Sequence, residues 1–108
     1  MEMNKLFGNG NYKVVNVVLN AGESMLLHKA TSDAFLIVKA GFGKIIFSDN
    51  EVELQQGSAI MIPADKEHQL EVAGAFNAYV IFAADGEIKF LNKAMHLQKP
   101  VPVSYSVY

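Results

Sequence analysis

The chain reads as an all-β protein, a sandwich or barrel with mostly antiparallel neighbours. Short runs rich in β-branched and aromatic residues recur along it, cut by Gly, Asn and Asp. One run, Glu51 to Gln55, alternates, with Glu51, Glu53 and Gln55 outward and Val52 and Leu54 inward. Another run stops at Pro63, which cannot donate to a ladder.

The elements follow in order. Tyr12 to Leu19 is the first strand, closed by a turn at Asn20-Ala21-Gly22. Met25 to Ala30 is the second, and Ala34 to Lys39 the third, running into a turn at Ala40-Gly41. Lys44 to Ser48 and Glu51 to Gln55 flank a turn at Asp49-Asn50. Gly57 opens Ala59 to Ile62, and His68 to Val72 and Asn77 to Ala83 complete the series. Val14 to Leu19 and Tyr79 to Phe82 are apolar on both faces, which suggests a buried strand or a subunit interface. Asp85 to Gln98 is ambiguous. Ile88, Leu91 and Met95 fit a helical stripe while Ile88 and Phe90 fit a strand, and a short helical or irregular segment is the expectation. Val101, Val103, Tyr105 and Val107 alternate with Pro102, Ser104 and Ser106, an extension strand with one apolar face. Such a face is expected to pair with an edge of this barrel or of a second copy. The expected organisation is one domain, residues 1–108, with a barrel core over about 12–84 and a C-terminal extension over 85–108.

Composition narrows the partners. With 108 residues and 51% hydrophobic residues the chain has material for a core without staples. It has no cysteine, so there is neither a disulfide framework nor a thiolate metal site, which fits a reducing cytoplasm. The first residues show no signal-peptide pattern, and no apolar run approaches the roughly 20 residues that span a bilayer. All nine basic side chains are lysine, and the net charge is −2. Without the planar guanidinium fork, and with mild acidity, nucleic acid is not an expected partner.

Two of the three histidines, His28 and His68, sit in glycine-framed segments. Five residues separate Gly22 from His28, and Gly41 closes that frame. Five residues separate Gly57 from Pro63, with His68 following. Gly22 and Gly57 sit at turns where positive φ is cheap only for glycine. Residues two apart on a strand share a face, so His28 goes with Ala30, and His68 with Leu70 and Val72. The two frames resemble the two motifs of the cupin superfamily over roughly Tyr12 to Ala83, with Phe42 to Gln56 as the inter-motif spacer. That resemblance implies a jelly-roll barrel, an antiparallel double-stranded β-helix, with these residues lining its interior. It also implies a metal held by three His and one Glu. Here the first His position is His28 and the motif-2 His is His68, but the second His position is Ala30 and the Glu position is Ala34. The inner Gly of the second motif is Asp65, and its terminal Asn is Val72.

The expected pocket comprises His28, Ala30, Ala34, Leu36, Met61, His68, Leu70, Val72 and Tyr79. The leading expectation is a cupin that binds a small molecule in the barrel cavity, as a homodimer in the cytoplasm. No catalytic residue is assigned. His28 and His68 form an incomplete metal site, able to take a divalent ion (Zn, Ni or Fe) only weakly, because zinc needs four ligands or three and water. The alternative is a metal-dependent dioxygenase or isomerase that adds a substitute carboxylate from Asp33, Asp65 or Glu67. A third reading is a structural or dimeric interaction module. His96 reads as a surface histidine, Met25 and Met61 as flexible core fillers, and Tyr79 as a sheet tyrosine at an interface.

Overall fold

The computed structural model describes residues 1–91. Ten strands run through them: β1 (Glu2–Gly8), β2 (Tyr12–Leu19), β3 (Ser24–Ala30), β4 (Ala34–Ala40), β5 (Phe42–Phe47), β6 (Glu51–Gln55), β7 (Ala59–Ile62), β8 (His68–Val72), β9 (Phe76–Ala83) and β10 (Ile88–Phe90). They form two antiparallel sheets, in the orders β1-β2-β9-β4-β7 and β10-β3-β8-β5-β6. The jelly-roll expectation holds.

The core lies between the sheets because each strand turns alternate residues inward. Strand β9 buries Phe76, Ala78, Val80 and Phe82 and leaves Asn77, Tyr79, Ile81 and Ala83 half-buried on the outer face. Strand β2 buries Val15, Val17 and Leu19 against them. Leu19, Val17, Val38, Ile45 and Phe76 are fully buried, each contributing about 1.5–3 kcal/mol by leaving water. The outward set on β6 is the polar set read from its alternation.

Gly22 and Gly57 have φ of 81° and 88°, as their turn positions require, and Gly41 has φ of 99°. At Gly41 a side chain would also strike the Ala75 carbonyl oxygen and the Phe76 Cα.

Two elements differ from the sequence reading. β1 was not anticipated, since every one of its residues is exposed and it therefore carries no burial pattern. Ile88–Phe90 is a strand rather than helical, paired Ile88 to Ala30 and Phe90 to His28. The preceding turn is tied to the β3–β4 loop: Thr31 N donates to Glu87 O at 2.9 Å and Glu87 N to Thr31 Oγ1 at 2.9 Å. That aligns the chain with the open edge of β3. His96, Met95 and the alternating tail 101–108 lie outside the described residues. No helix among the described residues is long and apolar enough to cross a membrane.

Candidate functional site

His28 reaches the interior through a defect in β3. Met25 pairs with Leu70 and His28 with His68, so three steps along β3 match two along β8. This is a β-bulge, one extra residue at Leu26-Leu27. It reverses the inward parity, so that Met25, His28 and Ala30 all face in. Leu27 is buried too, though it is not part of the main core cluster. Leu26 falls out of register with β8, and its carbonyl oxygen accepts from His28 Nδ1 at 2.6 Å.

His68 opens β8 directly after the Pro63–Glu67 turn. Its Nδ1 donates to the Lys66 carbonyl oxygen at 2.8 Å. That turn is held from two sides, by Ala64 N on Asp33 Oδ1 at 2.8 Å and by Asp65 N on Ala30 O at 2.8 Å. Asp65 has φ of 65°, which explains the glycine of the resembled motif at this place; aspartate is among the few other residues that tolerate it.

The two rings are direct cross-strand neighbours, with centroids 4.1 Å apart and planes tilted by 59°. Phe90 flanks His28 at 5.5 Å and Phe47 flanks His68 at 5.8 Å. Both histidines are 5% exposed. Burial pushes His28 down from the usual 6.5 to about 4, helped by the charge that His68 would carry. Burial also lowers His68, with Lys66 adding repulsion and its own carbonyl contact opposing the shift. The pair is neutral at neutral pH.

Both imidazoles border a cavity of about 40 Å3 between the sheets. Of the residues expected to form a pocket, the structure brings His28, Ala30, Ala34, Leu36, His68 and Leu70 to this cavity. Three do not reach it. Met61 is 54% exposed, because β7 turns Ile60 and Ile62 inward instead. Tyr79 lies on the outer face of β9 under the Lys39 ammonium, 5.7 Å from the ring centre, and Val80 takes the inward place. Val72 has the inward parity but sits four residues beyond His68, packed at the Gly43 end of the barrel. Val17, Met25, Ile45, Ile62, Val80, Phe82 and Ile88 complete the lining and were not foreseen. Asn77, polar and on the same face as Tyr79, was the available signal for the parity of β9.

The donor set does not fit the four-ligand metal site that the motifs imply. Ala30 and Ala34 face the cavity where the second His and the Glu would stand. None of the three substitute carboxylates, Asp33, Asp65 and Glu67, lines the cavity. Asp33 is exposed and accepts from Ala64 N, and Asp65 is exposed and within 3.8 Å of Lys29 Nζ. No group of three or more His, Cys, Asp or Glu suited to a metal occurs among the described residues.

The cupin domain family model matches residues 15–84. No curated protein matches the chain. Among solved structures, a cupin superfamily protein from Desulfitobacterium hafniense is similar with a TM-score of 0.71 at 23% identity, over 78% of this chain and 77% of that one. A conserved protein with a double-stranded β-helix domain from Klebsiella pneumoniae gives 0.71 at 13% identity, over 82% and 83%. The polyketide cyclase RemF from Streptomyces resistomycificus gives 0.68 at 16% identity, over 77% and 62%. Likeness at this identity speaks for the fold alone. With the family model spanning both histidine strands and the barrel closing around them, the chain belongs to the cupin family.

Proposed function

We propose that this cupin binds a small molecule in the cavity between its sheets, oriented by His28 and His68 and without a tightly held metal. The carrying observation is the convergence of two neutral imidazoles on an otherwise apolar cavity. A few polar groups in an apolar hollow is the usual character of a ligand site. The volume restricts the occupant: one water needs about 10–15 Å3 and a cavity that takes benzene has about 150 Å3, so 40 Å3 suits about three or four heavy atoms. Divalent zinc, nickel or iron would sit weakly on two imidazoles. A metal-dependent dioxygenase or isomerase would need a third protein donor, and none of Asp33, Asp65 and Glu67 lines the cavity. The cysteine-free composition suits a cytoplasmic setting. A thermal-shift screen of small neutral compounds on the wild type and a His28→Ala/His68→Ala variant tests the reading. Shifts confined to the wild type support it; equal shifts in both remove the histidines from it.

A second copy as partner is favoured by one further observation. Phe7, Val14, Ile81, Phe35 and Met61 are successive cross-strand partners over all five strands of the β1–β7 sheet. They form an apolar row on its outer face, with Phe7 52% and Met61 54% exposed. A row of this kind suits an isologous homodimer contact.

A further inference from the structure

The hydrogen bonds of the two rings carry more information than their position. A carbonyl oxygen can only accept, so the Nδ1 of His28 facing Leu26 O, and the Nδ1 of His68 facing Lys66 O, each carry the proton. In a neutral imidazole the other nitrogen is then a bare acceptor. In each ring Nε2 lies on the far side from the nitrogen bound to the backbone.

We infer that His28 and His68 present two adjacent Nε2 acceptors, and that the cavity selects an uncharged ligand of a few heavy atoms carrying hydroxyl donors, a small alcohol or vicinal diol. This rests on the cavity-binding reading above and adds the chemical class. The rings are side by side at 4.1 Å between centroids, so hydroxyls on neighbouring atoms of a ligand can serve both, and a single hydroxyl serves one. The rest of the lining offers no polar side chain: Val17, Leu36, Ile62, Leu70, Val80 and Phe82 surround the pair. A carboxylate or phosphate would meet two lone pairs and no cation in the lining, and would lose its hydration without replacement. A ketone or ether brings only acceptors and leaves both nitrogens unpaired, a cost that makes donor-reading sites selective.

The experiment uses the wild-type chain at pH 7.5 with 1,2-ethanediol, acetone and acetate, each of four heavy atoms, as probes. Long-range 1H–15N spectra of the histidine side chains report which nitrogen carries the proton, and titrations followed by the same resonances report binding. The expected result is protonated Nδ1 and bare Nε2 in both rings. 1,2-Ethanediol then shifts the Nε2 resonances and binds at least about fivefold more tightly than acetone, while acetate does not bind. Protonated Nε2 in both rings would overturn the inference, as would acetate binding as well as the diol. Equal affinity for acetone and the diol would remove the donor selection while leaving cavity binding intact. Binding of none of the three would reject the cavity reading and the inference together.

Discussion

His28 and His68 are directly opposite residues on antiparallel strands, and the bulge at Leu26-Leu27 is what makes them so. If the same sequence paired regularly, inward parity from Met25 would pass to Leu27 and Lys29, and His28 would face out. Deleting Leu26 removes the surplus residue, so Met25, His28 and Ala30 are expected to stay inward on a regular ladder. Side-chain NMR titration should then show the His28 pKa still near 4. A value returned to the usual 6.5 in a folded deletion variant would mean that the ring faces inward only with both leucines present.

The neutral pair makes stability depend on acid. A histidine whose folded pKa lies below its unfolded value is uncharged in the fold, while the unfolded chain takes up a proton. Its contribution is complete above about pH 6.5 and is lost as pH falls towards 4. For His28 the shift from 6.5 to about 4 corresponds to about 3 kcal/mol over that window. The first proton belongs to the pair, and its charge opposes the second. Urea unfolding between pH 7.5 and 4.5 should show this fall, and a His28→Leu variant should show a shallower one. An equal slope in both would place the acid sensitivity elsewhere.

Gly41→Ala should be severe, because the new methyl meets the Ala75 carbonyl at a backbone φ of 99°. A loss of about 2–4 kcal/mol is expected. Gly22→Ala has φ of 81° but open space around it, so about 1 kcal/mol is expected there. Chemical denaturation of the two variants checks the order; similar losses would show that the collision at Gly41 relaxes easily.

Ala30 and Ala34 both face the cavity beside the histidines. Ala30→His with Ala34→Glu should rebuild a four-donor set and hold zinc or nickel near one equivalent through mild chelation. The wild type should release either ion under the same treatment. Metal analysis after dialysis decides between them, and retention by the wild type would contradict the two-donor account.

The apolar row on the β1–β7 sheet should be sensitive to charge. Ile81→Lys, at its centre between Val14 and Phe35, is expected to shift the mass in solution from dimer to monomer. A deletion of residues 100–108 tests the tail as the clasp. A wild type that is monomeric at high concentration would remove both interfaces.

Much of this protein was determined locally. Residues 51–55 and 68–72 alternate because one face is wet, and β-branched runs ended by glycine, asparagine or proline marked the barrel strands within a residue or two. The two framed histidines, and the alanines in place of ligands, were likewise legible. What only the tertiary structure decided was parity and company. In β7 apolar residues occupy both faces, so the inward choice of Ile62 over Met61 depended on which sheet lay opposite, while in β9 only Asn77 marked the outer face that Tyr79 shares. The bulge in β3, the exposed β1 and the pairing of β10 with β3 are responses to neighbouring strands. Side-chain period encodes a face only where one side is water and the other is not; where both sides are apolar, or both wet, the partner sheet makes the choice.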